Sequence, residues 1–133
     1  MIGYEKKNVN PRNRKTTDCG VRALTAATGE DYYKVLNDLY EIQVATGYDS
    51  ADKRSIDRYM ARQGWIKHKQ PRRPDGKKYL VGEIDELIRP GQSAVVSLAG
   101  HLTAVVDGRI IDLWDCRSKT IGNYYTKGGI VMS

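Results

Sequence analysis

Apolar residues recur along this chain with two periods, and the change from one to the other divides it. Up to residue 64 the period is helical. In CGVRALTAAT, Val21, Leu24 and Thr28 fall on one face, with Thr16, Thr17 or Asp18 placed to cap the start and Gly29 to end it. In EDYYKVLNDLYEI, Tyr32, Val35, Leu36 and Leu39 repeat at i, i+3, i+4 and i+7, a stripe expected to turn toward a core. A third helix starts near Ser50 or Asp52, directs Ile56, Tyr59 and Met60 inward and stops at Gly64. GWIKHKQ reads as a short strand, and VGEIDELI as a short helix closed by the Pro90-Gly91 turn. From Ser93 the period shortens: SAVVSLA, HLTAVV and RIIDLWD are brief runs rich in β-branched residues. Asp107-Gly108 between the last two marks a two-residue hairpin turn, since both turn positions need positive φ. KTIGNYYTKGGIVMS adds one or two further strands. Helices followed by a small antiparallel sheet define an α+β class. The 133 residues carry no internal repeat and no dividing linker, so one domain is expected over 1–133.

The hairpin places side chains by arithmetic. With Asp107 and Gly108 as the turn, Val106 faces Arg109, Thr103 faces Asp112 and His101 faces Trp114. Side chains two apart share a face, so His101, Thr103, Asp112 and Trp114 lie on one side of the sheet. His101 and Asp112 become diagonal neighbours within reach of a hydrogen bond. A histidine held by an aspartate has a fixed tautomer and orientation, as a general base requires. Asp115 points to the other face. Cys19, at the first turn of its helix, meets the positive end of the helix dipole and unpaired backbone N–H groups, which favour the thiolate. If the histidine packs against that helix end, a nucleophile, a base and an orienting carboxylate are assembled. Each residue taken alone also has a purely structural role open to it, as buried packing, a satisfied polar group or an edge residue. None of the nine tyrosines is assigned a function.

Composition narrows the classes. At 40% hydrophobic and 29% charged the chain is an ordinary globular protein, without collagenous or disordered bias. No apolar run approaches a membrane span, and MIGYEKKNVN lacks the apolar stretch of a signal peptide, so a cytoplasmic location is expected. Cys19 and Cys116 are not expected to form a disulfide there. No C-x-x-C or H-x-x-x-H pairing exists to hold a metal, and no cofactor is implied. The net charge of +6 is clustered: the extended arm 1–15 carries +4 and the segment 67–78 carries +5. Such patches can steer an acidic partner or nucleic acid. KHKQPRRPDGKK, however, is broken by Pro71, Pro74 and Gly76 and lacks interleaved aromatics, which favours a solvated loop over a nucleic-acid surface.

The order DC…RAL…ATG, then Y…GW, then GH…AV.DG…D.WD resembles a minimal form of the papain-like cysteine peptidases found in small phage and bacterial proteins, over roughly residues 10 to 125. The resemblance implies a papain-like core in which a nucleophile helix and further helices pack on the sheet. It makes Cys19 the nucleophile, His101 the general base and Asp112 the orienting residue. Trp114 would shield the histidine pair from water. Asn13, six residues before Cys19, would stand where an oxyanion-hole glutamine is found, although Asn10 is also near and Asn13 can equally cap a turn. TDCGV departs from the family's pattern around the nucleophile, and only 18 residues precede Cys19, too few for an inhibitory pro-segment. A narrow protein or peptide substrate is therefore expected, with a phage-related role. The chemistry implied is amide, peptide or isopeptide hydrolysis. Deamidation or transamidation would use the same residues, and a non-enzymatic binder acting through its basic patches is the alternative from another class.

Overall fold

The computed structural model describes residues 1–13 and 18–127. Thr16, Thr17 and the segment after Lys127 lie outside them. The chain runs β1 (Gly3–Lys6), α1 (Cys19–Thr28), α2 (Tyr32–Thr46), α3 (Lys53–Arg62), β2 (Trp65–His68), a 3-10 helix (Val81–Glu86), β3 (Ala94–Leu98), β4 (His101–Val106), β5 (Arg109–Asp112) and β6 (Asn123–Lys127). Among the described residues it is an α+β architecture, four helices against a six-stranded sheet of order β1-β5-β4-β3-β6-β2.

Local chemistry accounts for the element ends. The Asp31 carboxylate accepts from the N–H groups of Tyr33 and Lys34 at the start of α2, and Asp52 accepts from Arg54 N–H at the start of α3. Gly29 and Gly47 end α1 and α2 in the left-handed conformation, at φ 74° and 80°. The Asp107-Gly108 turn has φ 50° and 74°, and β4 and β5 pair in the expected register, Val106 opposite Arg109 and Ala104 opposite Ile111.

Two expectations are corrected. The sheet is mixed rather than antiparallel: the N-terminal arm is not simply extended but supplies β1, parallel to β5, with Tyr4 opposite Ile110. Burial of Ile2 anchors it, and β1 occupies the edge that β5 would otherwise expose. Leu36 is 41% exposed; α2 rests on the core through Tyr32, Val35, Leu39 and Ile42, which leaves Leu36 at the rim of the stripe. VGEIDELI forms the expected short helix, of 3-10 type, with Glu83 N–H on Leu80 O and Leu87 N–H on Ile84 O.

The sheet separates two apolar cores. One, beneath the helices, contains Val21, Leu24, Val35, Tyr59 and Met60 against Val95, Leu102 and Ala104. The other joins Val81, Ile84, Cys116 and Ile121 to Val96, Val105 and Ile110. Burial of a Leu24 or Ile110 side chain contributes about 1.5–3 kcal/mol. The packing of α1 on β4 brings the start of that helix, where Cys19 stands, to the His101 end of the strand. Among the described residues no helix is long and apolar enough to cross a membrane.

Candidate active site

His101 opens β4 and Asp112 closes β5, so the hairpin register holds them as diagonal neighbours. His101 Nε2 lies 2.7 Å from Asp112 Oδ2. Thr103 Oγ1 donates to the same oxygen at 2.6 Å, and the backbone N–H of Leu113 donates to Oδ1 at 2.7 Å. Asp112 is 3% exposed. Burial works against its charge, yet the hydrogen bonds from His101, Thr103 and Leu113 prevail and hold the carboxyl below its ordinary pKa. The tilted Trp114 ring stands over the imidazole at 4.9 Å between centroids, with 40% of its own surface open to solvent.

With Nε2 committed to Asp112, the other ring nitrogen, Nδ1, is left for the Cys19 thiol. Hydrogen bonding to His101 is the main cause of a lowered Cys19 pKa, opposed by burial and reinforced by the nearby charges of His101 and Arg22. Burial alone would depress the imidazole, but its bonds to Asp112 and Cys19 outweigh that and lift His101 to about 9. The two shifts share one cause, the hydrogen bond between the thiol and the imidazole. No acidic residue sits in the first turn of α1 to compete with a thiolate there.

The other thiol behaves oppositely. Cys116 is fully buried, and burial pushes its pKa up to about 11. Its sulfur and the ligand atoms of His101 and Asp112 lie within 4.8 Å of one another, a donor set of the kind a metal can use. His101 and Asp112 are hydrogen-bonded to each other, though, and a thiol so resistant to ionisation is a poor ligand.

Residues to which the sequence pattern assigned no role complete the arrangement. Arg22, three positions after Cys19, is 8% exposed and turned inward, with Nη1 3.3 Å from Asp112 Oδ1 and Nε 2.8 Å from Asp18 Oδ1. Asp18 stands at the N-cap position of α1 without a capping bond from its side chain. Its second oxygen accepts from Tyr32 Oη at 2.8 Å and Asn10 Nδ2 at 3.0 Å. Charges therefore alternate in sign from Asp18 through Arg22, Asp112 and His101 to Cys19. The i, i+4 spacing of Asp18 and Arg22 was the one sequence signal for this chain of contacts.

Asn13 is not part of the group. It is exposed, adopts φ 53°, and its N–H closes a turn onto Asn10 O at 2.8 Å. It does not line the cavity at Cys19, whereas Asn10 is buried as a support for Asp18. Asp115 makes a surface pair with Arg117 at 2.7 Å. The basic segment also folds part of its charge back: Arg73 reaches Glu83 at 2.6 Å and Glu86 at 3.0 Å over the Tyr79 ring, and Lys67 pairs with Asp57.

Cys19 and His101 both border a cavity of about 270 Å³ between α1, α3 and the ends of β3, β4 and β6. Its wall is apolar along Ile56, Leu98, Leu102 and Tyr125, and polar at Ser97 and Asn123. No family model, curated protein or solved structure matches this chain.

The coupled pair has a signature in stability. A raised folded pKa, as for His101, contributes stability that is fully present below the unfolded value near ~6.5 and is lost as pH rises through about 9. A lowered folded pKa, as for Cys19, contributes stability present above the unfolded thiol value of ~8.5 and lost as pH falls through the folded one. Just below the unfolded thiol value of ~8.5 the two slopes oppose each other. In the Cys19→Ala chain Asp112 still raises His101, so its urea midpoint should fall from pH 6 to pH 9 while the unsubstituted chain stays flatter. A Cys19→Ala midpoint independent of pH across that range would contradict the raised imidazole.

Proposed function

We propose that this chain is a thiol-dependent hydrolase with a papain-like core, cleaving amide, peptide or isopeptide bonds. The observation that carries the reading is the His101–Asp112 hydrogen bond of 2.7 Å, with the remaining ring nitrogen directed to a thiol of lowered pKa at the edge of a cavity. The Cys19 thiolate attacks the substrate carbonyl carbon, and a carbon–sulfur bond forms as the oxygen takes up the electron pair. Collapse expels the amine, which leaves with the proton from His101, and a thioester remains. Water then attacks the thioester carbon and gives a proton to the ring. The sulfur departs as thiolate and the acid is released. Asp112 keeps the imidazole aligned and balances its charge throughout. Negative charge on the carbonyl oxygen develops beside the backbone N–H groups at the start of α1. Trp114 limits the approach of water to the imidazole–carboxylate bond.

Iodoacetamide labelling followed by peptide mapping tests the reading. Cys19 should label well below pH 8 and at least tenfold faster than Cys116, because only thiolate reacts. Equal, slow labelling of both thiols would remove the nucleophile.

A further inference from the structure

The cavity beside Cys19 is lopsided in a way that selects a ligand. Its lining is mostly hydrocarbon, from Ile56, Leu98, Leu102 and the Tyr125 ring, with Ser97 and Asn123 the polar exceptions, and about 270 Å³ accommodates one medium-sized apolar side chain. Two lysines border it. Lys67 is already held by Asp57 at 3.1 Å. Lys53, exposed at the first position of α3, has no carboxylate within ion-pair distance among the described residues, and neighbouring Asp52 is engaged by Arg54 at 2.8 Å.

A second hollow of similar volume shares Gly20 and Ala51 with the first and is lined by Val21, Leu36 and Leu39. The exposure of Leu36 acquires a purpose there, since it borders this hollow instead of closing the core. A Cβ added at Gly20 would meet Ile56 at 3.5 Å, an ordinary van der Waals contact. The sulfur is thus next to a junction between two recesses, a shape suited to a chain that continues past the reacting carbonyl and larger than an isolated amide group needs.

Resting on the hydrolase reading above, we propose that the substrate is a polypeptide segment with an apolar side chain lodged in the Ile56–Leu102 recess and an adjoining carboxylate that pairs with Lys53. Burial of the side chain supplies most of the discrimination, and the rim ion pair adds a smaller, salt-sensitive part.

Three alkylating probes test this on the full chain: iodoacetamide, its N-phenethyl derivative, and N-iodoacetylphenylalanine, which is the phenethyl probe with a carboxylate on the carbon next to nitrogen. Rates of Cys19 modification are read by peptide mapping at one pH and low salt, each divided by the probe's rate with glutathione. The phenethyl probe should modify Cys19 about tenfold faster than iodoacetamide, and the carboxylated one about threefold faster again. Lys53→Glu should reverse the carboxylate preference, and Ala51→Trp, at an exposed position between the recesses, should bring the phenethyl advantage toward one. Near-equal normalised rates with a reactive Cys19, or a carboxylate preference indifferent to Lys53→Glu, would overturn the specificity alone. A Cys19 unreactive toward iodoacetamide would overturn the hydrolase reading beneath it.

Discussion

Replacing Arg22 with methionine should lower the unfolding free energy by about 3 kcal/mol and move the acid limb of Cys19 labelling to higher pH. The stability loss comes from the groups that the guanidinium leaves behind. The carboxylates of Asp18 and Asp112 have side-chain exposures of 10% and 3%, and each accepts from Arg22. Removing one member of such a buried set costs about 3–5 kcal/mol, because the remaining charges stay desolvated without their partner. Here the loss should sit at the low end, since His101 still faces Asp112, and Tyr32 and Asn10 still bond to Asp18. The labelling shift has its origin in charge: Arg22 is one of the cations that lower the Cys19 pKa. Arg22→Lys separates the two effects. It keeps a positive charge near the sulfur but cannot bridge two carboxylates with one planar fork, so the labelling limb should return while much of the stability loss remains. Urea denaturation and the pH series together decide the matter, and an Arg22→Met chain with an unchanged midpoint would show that the network carries no weight.

The second large effect falls on the thiol itself. In His101→Ala, iodoacetamide labelling of Cys19 near pH 6.5 should drop on the order of tenfold or more, with labelling recovering only toward the ordinary thiol range around pH 8.5. His101 is the leading cause of the lowered Cys19 pKa, through a hydrogen bond and through charge, and what remains is Arg22, a backbone contact at Leu102 and the helix terminus. Cys116 is the internal reference. Buried and held up at about 11, it should label slowly in both chains. Labelling of Cys19 that is as fast in His101→Ala as in the parent would mean the imidazole does not share its proton with the sulfur, and the proposed division of roles would fall with it.

Much of the base-and-carboxylate half of the site was legible in the sequence. Two-residue alternation and the Asp107-Gly108 turn put His101, Thr103, Asp112 and Trp114 on one face, and the contacts His101–Asp112, Thr103–Asp112 and His101–Trp114 occur there. The supporting half was not. Arg22 received no role from the sequence pattern, since an arginine is rarely buried unless paired, and its partners come from different parts of the chain. Asn13 failed for a related reason: a count of six residues to Cys19 does not specify the backbone path between them, and the Asn10–Asn13 turn leaves Asn13 exposed. Leu36 matched a helical stripe that is wider than the face actually covered.

The amino-acid order alone thus determined the α-helices, the hairpin register and the pairing of histidine with aspartate, because backbone periodicity and turn chemistry act over a few residues and need no distant partner. The tertiary structure alone decided that the start of α1 meets the His101 end of β4, that an inward arginine joins two carboxylates, and that the N-terminal arm pairs parallel to β5. Those outcomes depend on which apolar faces bury one another, and a desolvated charge becomes tolerable only when the fold has already gathered its counter-charges around it.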